Sequence, residues 1–475
     1  MPEKGQRVLR GGNIHYEISD RVRSVDCGGL GMVQLLVERL QVAESIDERV
    51  KVLERHLPYR ESDHVLNLIY NVMTGGSCLQ DLEDRRRDLV YLDALGARKV
   101  PAPSTEGDFL RRFDRESIWK VMEAFNEARL KVWSRQDEEF RGQATLDADG
   151  TIAPTGGKCK SGIGMSYTGQ WSYHPLVVSL AETNEVLYLV NRPGNRPSHE
   201  GAAEVLDRAI ELVRRGGFQK VLLRGDTDFT QTRHLDRWNQ EGVDFVFGAD
   251  ASQGLVRRAE GLAPGAWSRL DRAKKKRQRR RRKNVRQVLV KNNGYRNLQL
   301  EREDVAELPY RPEACNQDYR LVVVRKRIGV SQGQGRLFDE TRYLFYLTNL
   351  RKESSQEVVF SANRRCHQEN VVEQLKNGVQ AMRMPSDSLE SNWAYLVIAA
   401  QAWNLKAWLG LVQPDKTMGR RMVTMEFRRF LRQVIQIPCQ ILQQGRRLLY
   451  RLLNVNDWTE ALLGGVPSLK QVRYG

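Results

Sequence analysis

Three carboxylates, Asp149, Asp226 and Glu369, stand where their surroundings give them chemistry to do. Glu369 lies in the stretch from Asn363 to Lys376, NRRCHQENVVEQLK. Wound as a helix at roughly 100° per residue, this stretch brings Arg365, Glu369, Val372 and Lys376 onto one narrow face, a carboxylate between two cations. Val372, Leu375, Val379 and Met382 form an adjoining apolar stripe that can pack on a core while the charged edge faces a cleft. The same spacing also suits ordinary surface ion pairs, Arg365 with Glu369 and Glu373 with Lys376. The two upstream aspartates favour the cleft. Carboxylates at the ends of different elements suit two divalent ions about 3.5–4 Å apart that flank a phosphodiester, one activating the attacking oxygen and one stabilising the leaving oxygen. Mg2+ prefers oxygen ligands and keeps several waters, so three acids suffice. Asp149, Asp226 and Glu369 are thus the expected catalytic and metal-ligating residues, with Mg2+ as cofactor and Mn2+ as a substitute.

The elements that must position these acids follow in chain order. Residues 1–140 read as helical, with apolar residues such as Ile118, Val121, Met122 and Phe125 recurring at helical spacing. Within this part, Ser104 or Thr105 is expected to cap the helix that carries Arg111 and Arg112 toward DNA phosphates. From 141 to 250 the rhythm changes. A short strand, Ala144 to Thr151, ends in acids; strands follow at Tyr173 to Leu180 and Val186 to Val190; then come a helix from Ser198 to Arg215, a strand from Lys220 to Gly225, a helix from Thr232 to Glu241 and a strand from Val243 to Phe247. Three strands, a helix, a strand, a helix and a strand is the order of the ribonuclease-H-like fold, in which the first and fourth strands are neighbours and bring their acids together. The fold class expected is α/β. Residues 251–350 read as a β-rich basic insertion and 351–412 as the second part of the core with the Glu369 helix. Residues 413–475 read as a basic helical C-terminal region.

The chain has 475 residues, 40% of them hydrophobic, enough for about two to four domains. Lys plus Arg number 76 against 59 Asp plus Glu, a formal charge of +17, so a polyanion is the expected partner. The densest run, Lys274 to Lys283, is basic at every position but Gln278; Lys274, Lys275, Arg279, Arg280, Arg281 and Arg282 are its expected DNA contacts. No apolar run approaches the ~18 residues of a membrane span, and the first twenty residues lack the apolar centre of a signal peptide. A bacterial cytoplasmic location, close to the nucleoid, is expected. Six scattered cysteines with no CxxC spacing argue for reduced thiols and against zinc. The glycine-rich GGKCKSGIG at 156–164 does not fit a phosphate-binding P-loop.

Taken together, the motifs resemble the DDE transposases of bacterial insertion sequences, specifically the YREK class and within it the group numbered thirteen-eighty. The resemblance covers residues 55–410. Asp149-Gly150-Thr151 is similar to the family's Asp-x-Thr, which favours Asp149 over Asp147. Arg224-Gly225-Asp226-Thr227-Asp228-Phe229 is similar to its Asp-x-x-Phe, favouring Asp226 over Asp228. Arg365, Glu369 and Lys376 match Arg-(3)-Glu-(6)-Lys, a register that Glu373 does not fit. Asn191-Arg192-Pro193-Gly194-Asn195 and Tyr173-His174-Pro175-Leu176 also look like this group. Ala362 stands where the family has Tyr, and Asp228 where Gly is common. The resemblance implies a transposase that binds terminal inverted repeats and carries out two-metal cleavage and strand transfer by cut and paste. It implies double-stranded DNA partners, both transposon ends and target, and a homodimer in the DNA complex. Arg365 and Lys376 would hold phosphates at the transposon end. The insertion would lie over the site, with Trp267 or Tyr295 available to stack on a displaced base. The alternative is a domesticated, catalytically impaired DNA-binding protein descended from such an enzyme, which the missing Tyr at 362 favours.

Overall fold

The computed structural model describes Tyr16 and residues 22–56, 58–157, 159–272, 292–332, 335–445, 447–454 and 456–470. The basic run from Lys274 to Lys283, and with it Lys274, Lys275, Arg279, Arg280, Arg281 and Arg282, lies outside the described residues, as does the expected strand Val285 to Val290.

The fold is mixed α/β around a nine-stranded sheet. In chain order the strands are β1 (Ser24–Val25), β2 (Gln143–Gly150), β3 (Ala153–Pro154), β4 (Gly164–Met165), β5 (Trp171–Tyr173), β6 (Leu176–Leu180), β7 (Glu185–Val190), β8 (Lys220–Gly225), β9 (Val243–Ala249), β10 (Ser268–Arg269), β11 (Arg296–Tyr310), β12 (Tyr319–Gln332), β13 (Gly335–Thr348), β14 (Cys439–Gln444) and β15 (Arg447–Leu452). The large sheet runs β10-β11-β12-β13-β9-β8-β2-β6-β7. At its centre β2 pairs parallel with β8 and antiparallel with β6, and β8 pairs parallel with β9. The acid-bearing ends of β2 and β8 are therefore adjacent. Both strands are buried on both faces between their exposed first residue and their acid-bearing ends, as expected of parallel strands covered by helices, with Asp147 and Arg224 as charged exceptions among their apolar residues.

The expected strand from Tyr173 to Leu180 is divided between β5 and β6. Pro175 offers no N–H to a ladder and falls at the break, where its carbonyl accepts from Thr151 N at 3.0 Å. The helix expected from Ser198 starts at Ala202, after Gly201 at φ +72°. Its buried residues include Ala202, Val205, Leu206, Ala209 and Val213, the stripe read from the sequence.

Residues 251–350 contribute a long antiparallel ribbon, β11 to β13, joined to the core sheet through Phe345–Thr348 of β13 against Val246–Ala249 of β9. The helix Leu389–Leu411 is apolar on every side and almost wholly buried, packing on helices Glu61–Met73 and Arg115–Trp133 and on β7. One buried carboxylate, Glu185 at the start of β7, collects Arg129 Nε at 2.9 Å, Trp133 Nε1 at 3.0 Å, Thr183 Oγ1 at 2.7 Å and Trp408 Nε1. It fastens sheet and helices together, each donor satisfying part of a charge that would be costly to bury alone.

Two expectations need amendment. The C-terminal region is not wholly helical: β14 and β15 form a hairpin turned at Gly445 (φ +61°), and β14 also pairs with β1. Gly445 adopts this positive φ without the strain a side chain would bring. The helix before Arg111 runs Pro103–Leu110 with Ala102 as its N-cap and Pro103 at its first position, so Ser104 and Thr105 lie inside the first turn and do not cap it.

Candidate active site

Asp149 is the penultimate residue of β2, and Asp226 follows directly on β8. Their carboxylates share one cation: Arg365 Nη1 lies 3.7 Å from Asp149 Oδ2 and 3.7 Å from Asp226 Oδ2. That nitrogen is buried without a hydrogen-bond partner. Asp149 is 18% exposed, and burial pushes its carboxyl up to about 6, with Arg365 opposing the rise and Asp226 and Glu369 adding to it. Burial raises Asp226 as well, Arg365 again opposing and Asp228 adding. Asp226 also caps its own turn, its Oδ1 accepting from Asp228 N at 3.1 Å. Two carboxylates drawn toward one positive group form a hard, oxygen-only donor pair of the kind Mg2+ takes.

Asp147, two residues earlier on β2, is fully buried and points elsewhere. It receives Arg224 Nε at 2.7 Å and Nη2 at 2.8 Å in a two-pronged pair, while Arg224 Nη1 donates to Ser361 O at 2.9 Å. Asp228 and Glu373 are exposed.

Glu369 arrives on a different geometry from the one the sequence suggests. The chain does not run as one helix through the motif. Helix Ser355–Asn363 ends, Arg365 is the N-cap of helix Cys366–Glu373, and Lys376 falls in the π-helical turn Gln374–Gly378. Arg365 caps the helix that carries Glu369, so these two stay together, whereas Lys376 is carried round the π-helical bend Gln374–Gly378. Arg365 reaches the aspartates; Glu369 is exposed yet close enough to raise Asp149. Burial lowers Lys376, with Glu373 and Asp149 as the acids that oppose this. Among the described residues no three His, Cys, Asp or Glu side chains gather tightly enough to hold a metal ion.

What holds the Glu369 helix is its buried neighbour. Gln368 accepts from Ser179 Oγ and donates from Nε2 to Val177 O at 3.2 Å, both on β6, the strand paired with Asp149's own. Val371, Val372, Leu375 and Val379 are buried beside it. Gln374 Oε1 accepts from Phe427 N at 2.8 Å and ties the bend to the C-terminal region. The site also borders on His174, whose Nδ1 lies 2.8 Å from Arg196 O and whose Nε2 comes within 2.9 Å of where a Cβ on Gly150 would be. A side chain at 150 would collide with it. Sequence reading gave Gln368 and His174 no role of their own, although both sit inside the quoted motifs.

Arg111 and Arg112 are exposed just past their helix, and Arg111 is engaged by Asp108 at 3.0 Å and Asp387 at 3.3 Å. Trp267 is covered by Arg325, 4.0 Å from its ring centre, and lies near Tyr343, whereas Tyr295 is 60% exposed. A larger apolar cavity of about 760 Å³ lies between helix Leu30–Arg39 and the β14-β15 hairpin and is lined by none of the three acids. Among the described residues no helix is long and apolar enough to cross a membrane.

A family model described as "Transposase DDE domain group 1" matches residues 20–474. Among solved structures the chain is similar to a piggyBac transposase seen by cryo-EM in a synaptic complex with hairpin DNA: 12% identity, covering 86% of this chain and 82% of that one, with a TM-score of 0.40. No curated protein matches.

Proposed function

The chain belongs to the DDE transposase family, and on that premise we propose that it is the cut-and-paste enzyme of a bacterial insertion sequence, of the YREK class and the group numbered thirteen-eighty. It binds terminal inverted repeats, cleaves at them and joins the freed ends to target DNA, with Asp149, Asp226 and Glu369 as its catalytic acids. The observation that carries the assignment is the meeting of Asp149 and Asp226 on Arg365, while Asp147 is consumed by Arg224. The strand order β7-β6-β2-β8-β9, antiparallel on one side of β2 and parallel on the other, supports a ribonuclease-H-like core.

The chain's own residues divide the work. Asp149 and Asp226, with Glu369 closing in, would hold Mg2+, which when bound activates the attacking oxygen and stabilises the leaving one. Arg365 and Lys376 hold the phosphates on either side of the bond to be cut, and the Gln368 anchor keeps Glu369 within reach. A homodimer on two DNA ends would bring both cuts into one complex. The reading of a DNA-binding protein that no longer cuts rests on Ala362, which packs its small side chain against the apolar cluster under the ribbon. The presence of all three acids favours the enzyme.

The test is cleavage of a labelled duplex carrying the inverted repeat that flanks the coding region, in Mg2+ and in Mn2+. Asp149→Ala, Asp226→Ala and Glu369→Ala are each expected to abolish cleavage while affinity for the DNA end stays within a few-fold. Cleavage at the normal rate by any one of them removes that residue from the site, and a wild-type chain that binds ends but never cuts selects the DNA-binding reading.

A further inference from the structure

Between β2 and β6 the chain makes a small three-stranded sheet, ordered β3-β5-β4, on the rim of the acid site. Its base is fastened. Ser161 N donates to Asp387 O at 2.8 Å, Tyr173 Oη donates to Ser161 O at 2.9 Å, and Gly164 backs so closely on Asn195 that a Cβ there would come within 2.7 Å of its backbone nitrogen. The tip is fastened too. Buried Ser166 bonds Gln170 O through both its backbone N–H, at 2.9 Å, and its Oγ, at 3.0 Å, and the turn closes at Gly169, φ +76°. Three large side chains nevertheless face solvent on this stiff hairpin: Tyr167 at 90%, Met165 at 45% and Trp171 at 43% exposure.

Beside them runs an open groove of about 660 Å³, from Lys376 past Pro154 to Thr168 and Gln170, with Arg383 on its other wall. Its described lining holds two cations and no carboxylate. Ile152, Ala153 and Pro154 of its lining follow Asp149 and the end of β2 directly in the chain, so the groove begins beside the acid-bearing end of that strand. The sheet order fixes its direction. The ribbon β11 to β13 joins on the β9 side of the acid-bearing strands, and the rim hairpin lies on the β6 side. On the transposase reading, DNA that crossed the acids from the ribbon side would continue along the rim.

Resting on the transposase reading above, we propose that this groove binds the DNA on the far side of the scissile phosphodiester from the ribbon, with Lys376 and Arg383 on its phosphates and Trp171 and Tyr167 against its nucleosides. Rigid aromatic faces beside a cationic track suit a strand whose stacking is interrupted, as it is at a cut. Before cleavage the occupant is flanking DNA, and at strand transfer it is target DNA.

The experiment is photo-crosslinking with single 5-iodouracil substitutions, read by mass spectrometry of the digested protein. One arm uses an uncut end with the label on either side of the scissile bond; the other uses a pre-cut end with labelled target duplex. Flank-side or target labels are expected to crosslink to the peptide containing Tyr167 and Trp171, and element-side labels are not. A crosslink in one arm alone assigns the groove to that source. Tyr167→Ala, at a position too exposed to disturb folding, is expected to weaken flanked-end or target binding about tenfold, a loss in the range of base–aromatic stacking. Affinity for the pre-cut end alone is expected to stay within twofold. Crosslinks from the element side only, or none to this peptide in a complex that binds and cuts, overturn the inference and leave the transposase reading standing. A wild-type chain that binds no element end refutes both.

Discussion

Two aspartates on one strand, Asp147 and Asp149, have opposite fates, and their partners explain it. Asp147 is matched by both prongs of Arg224 in a buried pair, so it is a structural charge. Asp147→Ala leaves the Arg224 guanidinium buried and uncompensated, which costs about 3–5 kcal/mol. Urea melts are expected to show this loss, while cleavage per folded molecule stays near normal. Asp149 instead keeps a proton more readily than a free aspartate, with its carboxyl near 6 because burial outweighs Arg365. A carboxyl raised on folding binds more protons folded than unfolded, so its contribution to stability falls as pH climbs from the ordinary aspartate range to about 6. Asp149→Asn is therefore expected to stabilise metal-free protein at neutral pH by about 3 kcal/mol, seen as a higher melting temperature, with no gain near pH 3. Mg2+ should stabilise the wild type and do little for this variant, and equal melting shifts on adding Mg2+ would count against Asp149 as a ligand.

At the scale of elements, the bend between helices Ser355–Asn363 and Cys366–Glu373 lets one short motif serve two places: Arg365 turns in to the aspartates while Glu369 rides on the next helix. Gln368 sets the height of that helix against β6. Gln368→Met keeps the bulk but removes both bonds and strands a buried Ser179 hydroxyl, a loss of about 1–3 kcal/mol. Because a misplacement of about 1 Å can cost roughly a hundredfold in rate, single-turnover cleavage is expected to fall far more than end affinity. Equal losses in both would make Gln368 a packing residue only. The ribbon gives a second case. β11 carries a run of charges, and these are answered from across the sheet: Asp304 by Arg325 directly opposite at 3.2 Å, and Glu303 by Lys326 opposite at 3.7 Å and by Arg272.

Over the whole molecule, the excess of positive charge is the lever on DNA. Each phosphate neutralised on duplex DNA adds about 0.9 to the slope of log affinity against log salt. Replacing Arg279, Arg280, Arg281 and Arg282 with Ser is expected to flatten that slope by roughly two to four units and to slow cleavage at moderate salt. An unchanged slope would leave end-gripping to the N-terminal helices and the basic C-terminal region.

The sequence by itself nominated Asp149, Asp226 and Glu369 and determined the order of elements that bears them. Asp-x-Thr after a strand and Asp-x-x-Phe after another are local signals, and the apolar stripe of Ala202–Arg215 and the buried runs of β2, β8 and β9 are written in residue spacing. Only the tertiary structure decided what depends on residues distant in the chain. It gave Asp147 its buried partner in Arg224, and set the charges of β11 opposite cations on β12. It took Lys376 off the expected single face with Arg365 and Glu369 through a π-helical bend tied to Phe427, anchored the Glu369 helix on Ser179, and turned part of the C-terminal region into a hairpin against β1. Periodicity reports what one segment prefers, whereas a buried charge or an anchored helix is fixed by the partner that meets it, and that partner is chosen by the fold.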